Sequence, residues 1–136
     1  MSCVSSLIAV RLETGEGDVP LLARLSYSAG NPYAVRADFF DGLTVLASWQ
    51  FDRQMLAEGR PRLVGEGDVA FRPERGSGRD EVRVDLRNHG DGREERAVLL
   101  MDSRALKGFL RRTYALVGEG EEFLDLDRLL EEFLTR

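Results

Sequence analysis

Cysteine, histidine and lysine are almost absent from this chain of 136 residues, which contains one of each: Cys3, His89 and Lys107. A single cysteine excludes an internal disulfide. A metal site built from cysteine and histidine ligands is not expected either, because the chain has only one of each. His89 falls in a predicted Asn-His-Gly-Asp-Gly turn, so we interpret it as a solvated turn residue and not as a catalytic base. Cys3 is interpreted as a small hydrophobic residue and not as a nucleophile.

The chain also lacks long apolar runs and an excess of positive charge. No run approaches the roughly 18–20 residues that a membrane helix needs. The short apolar run at the N-terminus is followed, not preceded, by Arg11, which is unlike a signal peptide. We therefore expect a cytoplasmic protein without a membrane span. The net charge of −5 argues against nucleic acid as a ligand, because phosphate binding draws on a basic surface.

What the chain does contain is an ordinary globular mixture, with 43% hydrophobic and 32% charged residues. Its length suits one domain over residues 1–136, because two domains would each have too small a core. Alternation of apolar and polar residues predicts seven strands. They cover Val4–Leu12, Leu21–Ser28, Tyr33–Phe40, Leu43–Phe51, Asp68–Arg72, a segment around Val82–Leu86, and Glu95–Met101.

Turn residues separate these strands. Asp41-Gly42 predicts a two-residue hairpin turn, and Pro73 predicts the end of the fifth strand. Glu74–Arg79 is predicted to be a mobile loop, and Asn88–Gly92 a turn. In the fourth strand the apolar face is predicted to consist of Val45, Ala47, Trp49 and Phe51.

Three helices are predicted. Asp52 can cap a short helix over residues 53–58 that ends at Gly59. Asp102 or Ser103 can cap a second helix that runs to about Val117. A third helix is indicated by an apolar stripe at helical spacing, formed by Leu126, Leu129, Leu130, Phe133 and Leu134. Four strands, a helix, three strands and two helices indicate an α+β fold with antiparallel sheets.

Two local patterns resemble functional motifs, a dinucleotide-binding loop and a metal cluster, but neither is predicted to be functional. Gly65–Ala70 fits the dinucleotide pattern G-x-G-x-x-A, but that motif requires a helix to begin there, and the following residues alternate like a strand. Seven acidic residues near the C-terminus could form a metal cluster, but their spacing follows no metal loop, and capping and solvation explain them. These are Glu119, Glu121, Glu122, Asp125, Asp127, Glu131 and Glu132.

Positive charge recurs along one side of the second predicted helix. Arg104, Lys107 and Arg111, with Arg112 adjacent, could contact nucleic acid or an acidic partner, or could form a solvated helix face.

Aromatic residues on adjacent strands could form a base-stacking platform or fill the core: Tyr33, Phe39, Phe40, Trp49 and Phe51. Phe40 is the exception, because its predicted face is shared with Arg36 and Asp38. An aromatic residue on a polar face is a candidate for an oligomer or partner interface. No catalytic set emerges and no cofactor is predicted, so elimination favours a binding or assembly role over an enzyme.

Several strings in the chain occur together in one known family. The ordered set consists of Tyr27, Asn31–Val35, the Phe39 strand, Trp49, Phe51, Leu56–Gly59, Gly67–Val69, Pro73, Ala105–Arg112 and Asp125–Asp127. With these strings the chain resembles the SsgA-like proteins, which are sporulation and cell-division regulators of actinomycetes. Met55 stands where leucine is expected, a volume-conserving change.

The resemblance implies a non-enzymatic adaptor at division septa that recruits or positions the tubulin-like protein FtsZ, or that controls local peptidoglycan synthesis and autolysis. Another SsgA-like protein is a second implied partner. The resemblance also implies a trimer whose subunit has a Whirly-like fold, with seven antiparallel strands in two packed sheets and two C-terminal helices. A single-stranded nucleic-acid-binding module remains the alternative.

Overall fold

The chain forms eight strands and two helices in a computed structural model that describes residues 2–76, 78–90, 92–122 and 134. The elements are β1 (Cys3–Thr14), β2 (Gly17–Ser28), β3 (Asn31–Asp41), β4 (Thr44–Asp52), α1 (Arg53–Glu58), β5 (Val64–Glu66), β6 (Val69–Gly76), β7 (Arg79–Gly90), β8 (Arg93–Asp102) and α2 (Ser103–Leu116). Most of the predicted third helix lies outside the described residues.

All eight strands belong to one antiparallel sheet in the order β4-β3-β2-β1-β8-β7-β6-β5. The predicted arrangement of seven strands in two packed sheets, and with it the Whirly-like subunit, is therefore wrong. The two halves of the chain are meanders of hairpin-linked strands, and Val10–Glu13 of β1 pairs with Val98–Met101 of β8 to join them. This junction links residues far apart in sequence, so no hairpin signal could predict it.

The strand missed by the sequence prediction is β5, which has three residues and shows too little alternation to be recognised. The predicted stop at Pro73 is also wrong, because β6 continues to Gly76 and Pro73 pairs with Val82 of β7. β5 pairs only with Val69–Phe71, so Pro73 lies where β6 has no neighbour on its other side among the described residues. Such an edge position tolerates the missing N–H of proline.

Two predicted loops are strand ends instead. The segment Glu74–Arg79 is a tight hairpin in which Gly76 pairs with Arg79, and Gly78 takes a positive φ of 75°. Likewise, β7 continues through the predicted Asn88–Gly92 turn as far as Gly90, which pairs with Arg93. The string Gly-Glu-Gly-Asp-Val occurs twice, at residues 15–19 and 65–69, and both copies lie at hairpin turns.

The sheet curls around its core. Phe51 of β4 and Phe71 of β6 belong to strands near opposite ends of the sheet, yet their ring centroids are 5.3 Å apart in an edge-to-face contact. The inner face carries the predicted alternating core residues, including Ala23, Leu25 and Val84, all fully buried. Burial of this apolar face is the main stabilising contribution to such a fold.

Both helices begin where the sequence predicts. The Asp52 carboxylate accepts a hydrogen bond from the Met55 amide at 2.9 Å, and the Asp102 carboxylate accepts one from the Arg104 amide at 3.1 Å. α1 buries Leu56, and α2 packs Leu106, Phe109 and further apolar residues onto the inner face of the sheet. The helices therefore cover the core that the curled sheet leaves open.

Candidate functional site

The face of the sheet opposite the core, here called the outer face, has two different halves. Over β1, β7 and β8 it is covered by ion pairs: Arg11 with Glu81 at 2.5 Å, Arg83 with Glu13 at 2.9 Å, and Arg96 with Asp85 at 2.5 Å. Beneath these charges Leu100 is only 6% exposed. This half of the outer face satisfies its own polar groups and hides its apolar ones.

The other half, over β1–β4, exposes apolar side chains. Phe40 lies opposite Leu22 on one side and Val45 on the other, and Leu7 is diagonal to Leu22. Leu22 is 45% exposed, Val45 52% and Leu7 60%. Directly opposed residues in a sheet have side chains in contact. The exposed Leu7, Leu22 and Val45, with the half-buried Phe40 between Leu22 and Val45, therefore form an apolar surface across four strands, which we call the apolar strip.

Val45 joins this strip because β4 contains a bulge. Phe39 pairs with Ala47 while Phe40 pairs with Val45, so Leu46 has no cross-strand partner in the register. One extra residue reverses the alternation on its N-terminal side. The predicted apolar face of β4 is thus wrong at Val45, which faces outward. Ala47, Trp49 and Phe51 lie opposite inward-facing residues of β3, as predicted, and Phe51 is buried, Trp49 half-buried and Ala47 exposed.

Charged residues line one flank of the strip. The Arg24 guanidinium lies 5.2 Å from the centroid of the Phe40 ring, a cation–π contact. Arg36 Nε donates to Asp38 Oδ1 at 3.0 Å, and Ser48 Oγ donates to the same oxygen at 2.6 Å. The hydrogen bond from Ser48 and the pairing with Arg36 outweigh burial and hold the pKa of Asp38 below its usual range. The predicted interface residues Phe40 and Arg36 therefore lie on the same outer face.

The predicted basic residues of α2 form a separate surface. Arg104, Lys107 and Arg111 are exposed, and none of their side chains forms an ion pair with another residue in the described part of the chain. Arg112 differs from them, because its Nη1 donates to the Ser5 carbonyl at 2.9 Å and to Ser6 Oγ at 2.8 Å. Arg112 holds α2 against β1, whereas the other three side chains have no ion-pair partner among the described residues.

A third polar cluster surrounds Arg53, which is only 1% exposed. Its Nη1 donates to the carbonyl oxygens of Thr113 at 3.1 Å and Val117 at 2.7 Å, at the C-terminal end of α2. The Thr113 carbonyl also accepts the Val117 amide at 2.9 Å, so Arg53 is a second donor to it, and the helix dipole favours a cation at this end. Arg53 Nη2 pairs with the Glu122 carboxylate. The guanidinium therefore caps a helix that is far away in the sequence.

Two tyrosine rings enclose the same guanidinium. Its carbon lies 4.9 Å from the ring centroid of Tyr27 and 4.2 Å from that of Tyr114. Burial raises the pKa of Tyr114, and the nearby Arg53 charge only partly offsets this effect. A pocket of about 210 Å³ lies beside the cluster, lined by Tyr33, Asp52, Arg53, Gln54, Tyr114, Glu119, Gly120 and Glu122.

Comparison with known proteins identifies the family. The family model described as "Streptomyces sporulation and cell division protein, SsgA" matches residues 21–122. This chain belongs to the SsgA family. It is 39% identical over 124 residues to the sporulation-specific cell division protein SsgB of Streptomyces coelicolor, covering 90% of this chain and 88% of that protein. The SsgB protein of Thermobifida fusca is 38% identical over 120 residues, covering 86% and 83%.

The SsgA-family fold agrees with this assignment. The crystal structure of an SsgA-like sporulation-specific cell division protein from Thermobifida fusca superposes with a TM-score of 0.90 at 32% identity, covering 99% of this chain and 96% of that one. The resemblance inferred from the sequence strings is therefore confirmed. No helix in the described part of this SsgA-family chain is long and apolar enough to cross a membrane.

The structure places the remaining candidate residues of this SsgA-family member apart from one another. Cys3 is exposed at the start of β1, and His89 lies in β7 where its backbone pairs with Glu94. Residues Gly65–Ala70 form the β5–β6 hairpin and not the start of a helix, as predicted. Of the proposed base-stacking aromatics, Phe39 and Phe51 are buried while Tyr33 is 44% exposed, so the five do not form one platform.

Two of the seven acidic residues near the C-terminus, Glu121 and Glu122, have hydrogen-bond or ion-pair partners in the structure. The Glu121 carboxylate accepts a hydrogen bond from the Gly118 amide at 3.3 Å, and Glu122 pairs with Arg53. Asp125, Asp127, Glu131 and Glu132 lie outside the described residues. Sequence reasoning missed Arg53 altogether, although one signal was available: Arg53 precedes the buried Leu56 by three residues, which places both on the same helix face.

The Glu122 carboxylate gives a pH-dependent prediction. Burial alone would raise its pKa, but the hydrogen bond and charge of Arg53 and backbone hydrogen bonds outweigh burial and lower the pKa below its ordinary value of 4.5. A lowered carboxylate pKa contributes stability that is complete above the unfolded pKa and is lost as pH falls through the folded pKa. We expect Glu122→Gln to lower the free energy of unfolding at pH 7 by about 1 kcal/mol.

This difference between wild type and Glu122→Gln should shrink as the pH falls below 4.5 and vanish in acid. Urea unfolding of both proteins across that pH range measures it. Glu119→Gln, which changes an exposed carboxylate of the same segment, provides the matched control. A Glu122→Gln effect that stays constant from pH 7 to acid would contradict the ion pair.

Proposed function

We propose that this SsgA-family protein is a non-enzymatic regulator of sporulation-associated cell division that acts as an adaptor for the division machinery. The observation that carries the proposal is the family match over residues 21–122, together with SsgB relatives that are similar over most of both chains. These relatives are named sporulation-specific cell division proteins. The proposed partner is FtsZ or another SsgA-like protein, and the proposed location is the division septum.

The chemistry of the described residues is compatible with an adaptor. The exposed features are an apolar strip on the outer face and a row of basic side chains on α2, both of which suit contact with proteins. Among the described residues no cluster of three or more His, Cys, Asp or Glu side chains could hold a metal ion. The family resemblance further suggests self-association as a trimer, which light scattering after size exclusion measures directly.

Binding to purified FtsZ tests the proposal. We expect this protein to bind FtsZ or to promote its assembly, observed as increased light scattering or as co-sedimentation with FtsZ polymers in the presence of GTP. Bovine serum albumin at the same concentration is the control for nonspecific crowding. Lack of association with FtsZ at low and at physiological salt would contradict the FtsZ version of the adaptor role.

The alternative of a single-stranded nucleic-acid-binding module has less support. It depended on the Whirly-like fold, which the single curled sheet replaces, and on an aromatic platform whose residues lie partly in the core. The three basic residues of α2 are its remaining support. Fluorescence anisotropy with single-stranded oligonucleotides at low salt tests it, and genuine binding should weaken steeply as salt increases.

A further inference from the structure

The two edges of the sheet are protected to different degrees. β5 forms one edge with only three residues, and beyond it the open side of β6 carries Arg72, Pro73, Glu74 and Arg75. Short edge strands, proline and charge are the usual features that prevent another chain from adding to a sheet. This edge therefore has little capacity to accept a further strand.

The opposite edge, β4, has few of these protective features. From Thr44 to Phe51 it contains no charged residue and no proline, and among the described residues no strand pairs with its outer side. Residues 43–48 are exposed, with Leu46 at 52% and Leu43 fully accessible. The bulge at Leu46 bends the strand but leaves an additional apolar side chain outside the ladder.

A strand added beside β4 would extend the apolar strip. Val45, Phe40 and Leu22 lie opposite one another on successive strands, so the next strand would place an outward side chain beside Val45. Further along the same two strands, Gln50 of β4 lies opposite Arg36 of β3, whose side chain is 60% exposed. Because neighbouring strands are about 4.8 Å apart, a long acidic side chain on the added strand, such as glutamate, has to extend over Gln50 to meet that guanidinium.

We infer that the β4 edge and the apolar strip bind an extended segment of a partner protein by strand addition. Free main-chain N–H and C=O groups of β4 select an extended backbone, and alternate side chains select the sequence. The preferred segment carries an apolar residue that contacts Val45 and an acidic residue that pairs with Arg36. The inference rests on the proposed adaptor function, which supplies the partner used as the probe.

The size of the strip favours a segment over a second folded copy. Four side chains form it, whereas a stable interface between two folded proteins involves roughly 20–30 residues on each side. A short extended segment matches the strip and gains most of its affinity from main-chain hydrogen bonds. A second copy and the chain's own C-terminal residues are therefore outcomes to be tested against the partner segment.

The test measures FtsZ binding to the full chain and to three variants. The double variant Val45→Asp and Leu46→Asp places negative charge on the edge, and Arg36→Glu reverses the charge that should attract the segment. Both should weaken binding by about tenfold or more, as for loss of an interface anchor. Leu63→Asp changes an equally exposed apolar residue outside the strip, 66% accessible, and should leave binding unchanged.

Amide hydrogen exchange distinguishes the occupants. Of residues 44–50, the amides that point away from β3 should exchange fast in the free protein and slowly when FtsZ is added, while the amides that bond β3 and residues 64–66 of the other edge do not change. If wild type and the double variant bind FtsZ equally and the β4 amides stay unprotected, the inference fails while the proposed function stands. If wild type does not bind FtsZ, the FtsZ version of the function fails and the inference fails with it.

Two further outcomes of the exchange experiment would overturn the inference. Slow exchange of the amides of β4 that point away from β3, in the free protein at every concentration, would mean that the chain itself covers the edge. Protection that increases with protein concentration in the absence of FtsZ would mean that a second copy covers it. Circular dichroism of each variant checks that the substitutions, all at exposed side chains, leave the fold intact.

Discussion

Replacing Arg53 by methionine is expected to lower the free energy of unfolding by about 3–5 kcal/mol, the usual result of removing one partner from a buried charged network. The Arg53 guanidinium satisfies the end of α2 through the carbonyl oxygens of Thr113 and Val117. Methionine fills a similar volume but cannot donate, so the Val117 carbonyl and the Glu122 carboxylate lose the Arg53 donor, while the Thr113 carbonyl keeps only the Val117 amide. Buried polar groups without partners account for most of the expected loss.

Arg53→Lys should rescue little of that loss. Lysine carries the charge, but its ammonium cannot reproduce the planar arrangement of donors that reaches several acceptors while stacking between two aromatic rings. In this chain those rings belong to Tyr27 and Tyr114. Guanidinium chloride unfolding measures both variants, and the change should appear in the transition midpoint because the surface exposed on unfolding is nearly unchanged.

Arg104→Met is the matched control for this experiment. It makes the same chemical change at an exposed position of α2 where no ion pair with a described residue is lost. Surface substitutions of this kind usually change stability by less than about 0.5 kcal/mol. An Arg53→Met protein as stable as Arg104→Met would show that the network around Arg53 contributes nothing, and would remove the structural explanation for its burial.

The strands of this fold could largely be predicted because their signals are local. Alternation predicted β2, β3 and β7, and the apolar residues of that alternation, such as Leu25, Ala37 and Val84, are buried. Asp52 was correctly predicted as a helix cap, and Asp102 is the cap of the two candidates predicted for the second helix, because capping depends on residues within one turn. The turn glycines were equally informative, since Gly42 and Gly67 both have a positive φ of 61°.

Features that depend on distant residues could not be predicted. The pairing of Val10 with Met101 turns two meanders into one sheet, and no local pattern indicates it. The bulge at Leu46 is set by register with β3, and a one-residue shift was enough to move Val45 from the predicted core face to the outer face. Pro73 was wrongly predicted to end β6, because a strand accepts proline where no neighbouring strand needs its N–H, and sequence does not show where that is.

The candidate surfaces show the same division. Phe40 and Arg36 could be placed on one outer face because residues four apart in a strand share a face. Their continuation into Leu22 and Leu7 required the registers with β2 and β1. The spacing of Arg53 from Leu56 was its one local signal, and its partners could not be predicted because they come from the distant end of α2 and the residues that follow it. A buried arginine in a short amphipathic helix appears in sequence as one more charged surface residue.

Gly59→Ala is expected to lower the free energy of unfolding by about 1–3 kcal/mol or more, the range seen when an atom is forced into a packed core. Gly59 ends α1 with a φ of −69°, a backbone conformation that alanine adopts without strain. Its glycine requirement comes from packing instead. A Cβ built at Gly59 would lie 2.2 Å from Cβ of the fully buried Phe71, and only movement of the α1 or β6 backbone relieves that contact.

Gly108→Ala provides the opposite result in the same protein. Gly108 lies inside α2, is exposed, and a Cβ there would meet no atom within 4 Å. Alanine should therefore stabilise the helix by about 0.5–1 kcal/mol, the difference in helix propensity between the two residues. Urea unfolding of the two single variants and the wild type measures both effects. Equal and small changes in both variants would contradict the Gly59–Phe71 contact. They would show that α1, which connects the two edge strands β4 and β5, does not pack tightly against β6.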